Sequence, residues 1–395
     1  MATSCIMSGA PYILFKDSIN KKSNQKNIGT VKSSNLCSEI VEVSTPEETA
    51  VCNLASISIP AFINRRNDTF MYEEFGKHVQ ILVRNLNKVI DVSFYPNDKC
   101  KRSNLRHRPI GIGCQGLHTA FMILKYDFES ESAKEFNKKI YETMYYYAIQ
   151  ESCNLAKTTG SYETFLGSPL SEGKFQFDLW GITPSNRYDW ESLRESVKLY
   201  GVKNSLLLTQ MPTAGSSNIM MNSESIDPIN SNLFTRKVSA GEYMIINKFL
   251  VNDLIKLNLW SKDMKDLLIA HEGSVKYIDS IPEKLKSIYK TCWEMSMKSI
   301  INMSSERGPY ICQTQSMNLF MESPTHAKVS SMWFYAWDKG LKTGQYYLRS
   351  RAKANSAKFS IDPEIEAQAQ RKKKEIMDRE TCSRENPEGC IMCSS

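Results

Sequence analysis

The chain has 395 residues, 41% hydrophobic and 24% charged, the balance of a soluble globular protein long enough for one large domain or two to three ordinary ones. No apolar run approaches the roughly 20 residues of a membrane-crossing helix, and Met1–Lys16 lacks the basic start of a secretory signal; the expected address is cytoplasmic. A net charge of +7 suits anionic small molecules but is not the basic stripe of a duplex binder, so neither direct DNA binding nor a membrane is expected. Eleven cysteines in a reducing compartment are expected as thiols, any disulfide being catalytic rather than structural.

In chain order, the first constellation is Asn35-Leu36-Cys37-Ser38-Glu39. If this segment is extended, the side chains at 35, 37 and 39 share one side, because strand side chains alternate. An amide that binds hydroxyls, a thiol for redox work and a carboxylate for a proton then converge. A filler cysteine beside two solvated polar residues is the competing reading. Cys52 lies on an apolar run of strand length, Val51–Ile59, where a lone cysteine is ordinarily a small core residue.

Phe75, Val79, Leu82, Leu86 and Val89 repeat at helical spacing, as do Phe136, Ile140, Met144 and Ala148, and Leu285, Ile288, Cys292 and Met295. These read as core-facing stripes. Gly111-Ile112-Gly113-Cys114-Gln115-Gly116 matches GxGxxG, but it follows Arg106-His107-Arg108-Pro109 rather than an apolar strand. The dinucleotide reading is rejected, and the glycines are expected to form a tight turn into a helix over Leu117–Leu124.

Further strand-length runs are Ser205–Gln210, Tyr310–Gln315 and Gln345–Ser350. Strands separated by long helices predict an α/β fold with parallel strands. After the first of these comes Met211-Pro212-Thr213-Ala214-Gly215-Ser216-Ser217. A strand, a small-residue turn and a helix start form either an anion site or an ordinary capped turn. Tyr346-Tyr347 falls within the last run, where alternation sends neighbours to opposite faces. From about Asp362 the chain turns polar and ends in Cys390-Ile391-Met392-Cys393. That pair has the spacing of a thiol–disulfide shuttle, with zinc as the rival. The expected division is residues 1–361 as one domain and 362–395 as a flexible tail.

Taken together, these stretches resemble the large, catalytic subunit of class I ribonucleotide reductases in the form found in eukaryotes and their viruses. The resemblance is carried by Lys22-Ser23-Asn24-Gln25, Ser34–Glu39, Ala50–Ser56, Arg106–Gly113, Met211–Ala214 and Leu341–Arg349, in family order, and again by the tail cysteines. It implies the C-terminal part of a ten-stranded α/β barrel with a finger loop, and the reduction of ribonucleoside diphosphates to deoxyribonucleotides by a thiyl radical. Within it, Cys37 matches the thiyl site that takes the 3′-hydrogen, Glu39 the base and Asn35 the amide on the ribose hydroxyls. Cys52 matches one of the two reducing thiols. Thr213, Ala214, Gly215 and Ser216 match the substrate diphosphate loop, although Gly215-Ser216 stands where the family has Ser-Thr. Tyr346 and Tyr347 match the radical-transfer pair, and Cys390 and Cys393 the tail dithiol recharged by thioredoxin or glutaredoxin. Cys312 stands where an acid is expected.

No cofactor is expected on this chain, because a metal-containing small subunit supplies the radical. The family's upstream region, with most of the ATP and dNTP effector sites and the partner of Cys52, has no counterpart here. The expectation is therefore a chain that works with a separate N-terminal large-subunit fragment and the small subunit. The alternative is an inactive fragment or decoy that binds reductase subunits.

Overall fold

In the computed structural model the described residues are 1–351 and 363–384, with side chains in the last helix as far as Ile376. Four segments run parallel side by side. The strand Leu54–Ser58 pairs with Gly111–Gln115, Leu54 opposite Gly111 and Ser58 opposite Gln115. Ile112 bridges to Leu208, and Gln210 to Gln315. The ladder continues through Ile110 N–H to the Leu206 carbonyl at 3.0 Å and Gln313 N–H to the Leu208 carbonyl at 3.0 Å. The α/β reading and its parallel strands hold.

Gly111–Gln115 is buried throughout, and this corrects the tight turn expected there. The helix Asp98–His107 ends on Arg108 in the left-handed region (φ 46°), and the chain enters the sheet directly. The glycines serve packing between strands: a Cβ on Gly111 would lie 2.6 Å from Thr209 Cγ2, and one on Gly113 would lie 2.7 Å from both Met211 Sδ and the Thr209 carbonyl oxygen. The expected helix over Leu117–Leu124 is present.

Helices cover the sheet. Glu131–Thr159 starts on Ser130, whose hydroxyl accepts from the Ala133 N–H, and stops at Gly160 (φ 78°). It buries Phe136, Ile140, Met144 and Ala148 and packs along Tyr72–Val92, which buries Phe75, Val79 and Leu86. The third stripe departs from expectation: its helix ends at Ile288. Tertiary bonds draw the following residues away, with the Tyr289 hydroxyl donating to Asp253 at 2.6 Å and the Cys292 N–H to the Ile229 carbonyl at 2.8 Å. Tyr289 joins a second apolar core with Leu250, Leu254 and Leu268, whereas Cys292 and Met295 pack in the main core.

The Gln345–Ser350 run is not one strand. Thr343–Gln345 pairs antiparallel with Ile13–Leu14, whereas Leu348–Ser350 pairs parallel with Leu319–Met321. The tyrosines occupy the break. Within the polar 362–395 stretch, Pro363–Arg384 is a helix against Lys262–Ala270, tied by Lys372 to Asp279 at 2.7 Å.

The segment leading to Cys52 is fastened by Glu48, whose carboxylate bonds Arg106 and His107, each at 3.0 Å. Burial alone would raise the Glu48 pKa, but the bonds and charges of His107 and Arg106 outweigh it and hold the group below the usual glutamate value. A carboxylate depressed in the folded state adds stability above its unfolded pKa of about 4.3, and loses it as pH falls through the folded value. We expect Glu48→Gln to cost about 1 kcal/mol at pH 7, with the gap to wild type closing below about pH 4 in urea titrations. Gly113→Ala should cost about 1–3 kcal/mol by overpacking, read as a lower urea midpoint at unchanged slope.

Candidate active site

The loop that carries Asn35, Cys37 and Glu39 is not extended, which corrects the alternation expected for it. It closes on itself: the Asn35 N–H donates to the Ile40 carbonyl at 3.3 Å, the Ser38 N–H to the Asn35 carbonyl at 3.2 Å, and the Ile40 N–H to Asn35 Oδ1 at 3.1 Å. Ser38 takes φ 63°. Asparagine favours such turns because its side chain mimics a backbone acceptor. The Asn35 amide oxygen is therefore engaged in shaping the loop.

The loop is pinned to the ends of two parallel strands. The Glu39 carbonyl accepts from the Thr209 hydroxyl at 2.6 Å and from the Thr314 N–H at 3.1 Å. Ser316 Oγ donates to the Cys37 carbonyl at 2.5 Å and lies 3.3 Å from Glu39 Oε2. Farther along, the Val41 N–H reaches Gln313 Oε1 at 3.0 Å and the Val43 N–H reaches Gln25 Oε1 at 2.8 Å. Val31, Val41 and Val43 pack on Ile19. The result buries the Glu39 side chain (2% exposed) and leaves Cys37 half-buried.

Cys37 meets phenols on one side. Its side chain lies beside Tyr346, whose phenol pKa is raised by burial first and then by the Cys37 thiol. The Tyr346 and Tyr347 ring centroids are 4.5 Å apart. Both rings also touch Tyr12, at 4.6 and 5.0 Å, and the Tyr12 phenol is pushed up to about 12 by burial and its bond to Tyr347. The expectation of opposite faces fails, because the break between strands lets both rings turn to one side. A thiol beside a phenol that touches two more is a short path for a hydrogen atom.

Acids and a second thiol also lie near this loop. Cys52 precedes its strand rather than lying within it and is an exposed residue. Its thiol is pushed up to about 12 by desolvation, then by the charges of Glu42, Glu39 and Cys37. The structure thus gathers Cys37, Glu39 and Cys52 around one spot, with Asn35 on the loop's rim.

The Thr213 turn is placed by its own contacts. Thr213 Oγ1 accepts from the Ser225 N–H at 2.7 Å, and Ala214, Gly215 and Ser216 are exposed at the start of the short helix Ala214–Ile219. A Cβ on Gly215 would meet nothing within 4 Å, so this turn presents open backbone. The Glu224 carboxyl, raised by burial, is influenced by Arg349 and by the Thr213 backbone, and the Arg349 guanidinium stacks 4.5 Å over the Tyr347 ring. The turn and the tyrosines therefore share a wall. Cys312 accepts from the Leu207 and Leu208 N–H groups at 3.0 and 3.2 Å, joining strands. Cys390 and Cys393 lie outside the described residues.

Tyr12, Glu42, Thr209, Gln313 and Ser316 escape sequence reasoning. Only Glu42 left a signal, as one acid inside the apolar run Ile40-Val41-Glu42-Val43.

Residues 1–347 match the family model described as ribonucleotide reductase, barrel domain. The chain is 46% identical over 389 residues to the ribonucleoside-diphosphate reductase large subunit of Caenorhabditis elegans, covering 98% of this chain and 49% of that protein. It is 49% identical over 361 residues to the large chain of Cryptosporidium parvum, covering 91% and 45%. Among solved structures, the class Id ribonucleotide reductase alpha subunit of Actinobacillus ureae is similar, with a TM-score of 0.69 and 26% identity over 89% of this chain and 60% of that one. The chain spans about half the length of the curated relatives it matches. Its sequence, its parallel sheet and the loop seated on that sheet place it in the family of ribonucleotide reductase large subunits, of which it carries barrel-domain sequence.

Proposed function

We propose that this chain supplies the radical and proton-transfer groups for reduction of ribonucleoside diphosphates to 2′-deoxyribonucleoside diphosphates. It does so together with an N-terminal large-subunit part and a small subunit whose metal centre furnishes the oxidising equivalent. The observation that carries the reading is the Cys37 thiol set beside the Tyr346 phenol while Ser316 Oγ lies against both the Cys37 carbonyl and the Glu39 carboxylate. A thiol without a relay has no route to a radical, and a relay without a nearby carboxylate has no acceptor for the substrate's proton.

In this reading an electron leaves Cys37 by way of Tyr346 and Tyr347, and the proton leaves with it. The Cys37 sulfur radical takes the ribose 3′-hydrogen while Glu39 takes the 3′-hydroxyl proton. The 2′-hydroxyl departs as water after protonation. Two electrons and their protons come from Cys52 and a partner thiol, which end as a disulfide. The 3′-hydrogen then returns from Cys37, restoring the radical. Asn35 orients the ribose hydroxyls, and Thr213, Ala214, Gly215 and Ser216 receive the diphosphate on open N–H and hydroxyl groups. Cys390 and Cys393 re-reduce the disulfide and are recharged by thioredoxin or glutaredoxin.

The test is CDP reduction by the assembled subunits. Cys37→Ser should lower turnover about 10³-fold or more, because an alcohol O–H is too strong to serve in place of the thiol. Tyr346→Phe should do the same while leaving substrate binding intact by equilibrium dialysis. Cys390→Ser should abolish thioredoxin-driven turnover but spare turnover driven by dithiothreitol. A Cys37→Ser variant that still reduces CDP overturns the assignment. Wild-type chain that binds small subunit yet never turns over supports a non-catalytic binder instead.

A further inference from the structure

The tyrosine segment carries one residue too many for the strand beside it. The Tyr346 N–H donates to the Met317 carbonyl at 2.7 Å, which sets Tyr346 opposite Asn318 in a parallel ladder. The next pair is Leu348 with Leu319, the Leu319 N–H reaching the Tyr347 carbonyl at 2.9 Å. Tyr347 is therefore the extra residue of a bulge. An added residue shifts the alternation of side chains by one, and this is why two consecutive rings reach the same side. A bulge also leaves a backbone N–H outside the ladder, here that of Tyr347. Asn318 Oδ1 accepts it at 3.3 Å.

The other end of the Asn318 amide is fixed as well, with Nδ2 donating to Asp227 Oδ2 at 2.6 Å. Asn318 and Asp227 are both buried. Asp227 is anchored in turn by its own N–H on the Glu224 carbonyl at 3.0 Å, and it lies two residues past Ser225, whose N–H donates to Thr213 Oγ1. A backbone N–H only donates and a carboxylate only accepts, so the link between them needs an acceptor and a donor on one short side chain. We propose that Asn318, held by Asp227, is the positioning residue that keeps the Tyr347 ring against Tyr346 and Tyr12. The inference rests on the reading of Tyr346 and Tyr347 as the radical relay. Without the cap, the spare N–H turns toward another partner and the bulge residue rotates with it. The ring contacts of Tyr347, at 4.5 Å to Tyr346 and 5.0 Å to Tyr12, then open. Ser316, two residues before Asn318, holds the Cys37 carbonyl, so one short segment carries both ends of the path from thiol to phenols.

The test uses the assembled subunits, with Tyr347 replaced by 3-fluorotyrosine for fluorine NMR and unlabelled for CDP reduction. The resonance reports the surroundings of the ring without turnover. Asn318→Leu, close in size but without the acceptor, should shift that resonance and lower kcat at least about tenfold, with KM for CDP kept within about twofold. Asn318→Asp sets a second carboxyl on Asp227 and should do the same at about pH 8.5, where two ionised acids repel. Adding Asp227→Asn to Asn318→Asp restores one donor and one acceptor in exchanged places, and should return both readouts to near wild type. Glu224, Arg307 and Arg349, which also act on Asp227, and the Cys292 thiol, which feels it, are unchanged throughout. If Asn318→Leu does not fold, the single and double exchanges carry the test. An unmoved resonance in the single variants, or a double variant as impaired as Asn318→Asp, overturns the proposal. A resonance that shifts and returns while kcat stays constant upholds the positioning and sinks the relay reading of Tyr347 instead.

Discussion

The site depends on the capture of one peptide carbonyl. Glu39 C=O accepts from the Thr209 hydroxyl and the Thr314 N–H, and through those two bonds the 35–43 loop is registered against adjacent strands of the sheet. The loop has no strand of its own, so its backbone groups must find partners elsewhere or bear the cost of burial, about 1–3 kcal/mol for each one left alone. They find them in side chains: Gln313 for Val41, Gln25 for Val43, and Asn35 for Ile40. This is why polar residues fill the ends of otherwise apolar strands. Thr209, Gln210, Gln313, Thr314 and Ser316 are all buried, and most of their bonds go to the loop or to the next strand.

A second consequence is electrostatic. The loop and its surroundings place several ionisable groups where burial opposes the charged form. Glu42 and Cys52 are both raised, and so are Tyr346 and Tyr12. Groups kept neutral in this way exchange protons and hydrogen atoms with near neighbours more readily than they ionise into bulk water. The phenols Tyr346 and Tyr12 and the Cys52 thiol all act on or feel the Cys37 sulfur, and Ser316 Oγ ties the Cys37 backbone to the Glu39 carboxylate.

Much of the fold was legible in the residues. The stripes through Phe75 and Phe136 became helices that bury most of those faces, with Val89 of the first left exposed, because a helix of more than 20 residues repeats its apolar pattern too often for chance. Short segments were less faithful. The Leu285–Met295 stripe broke after Ile288 because the Cys292 N–H and the Tyr289 hydroxyl were drawn to Ile229 and Asp253, bonds that no local pattern announces. Gly111 and Gly113 were read as a turn because glycine usually marks one. Here they are flat strand positions emptied to admit Thr209, Leu54 and Met211. Among the site residues, the types and order of Asn35, Cys37, Glu39, Cys52, Tyr346 and Tyr347 were visible, but the geometry first assigned to them was not the one found.

Local sequence determines whatever repeats within a few residues: the helical stripes, the strand-length runs, the small-residue turn after Leu208, and the polar shift near Asp362. It also names the reactive side chains, since only a few residue types carry a thiol, a phenol or a carboxylate. Tertiary structure alone decided which of these meet. Tyr12 touches Tyr346 across more than 300 positions, Ser316 reaches Cys37 across 279, and Gln313 holds Glu42 across 271. Contacts of that separation are fixed by how strands stack side by side. That order follows from the packing of the whole chain, and no segment of it contains the information.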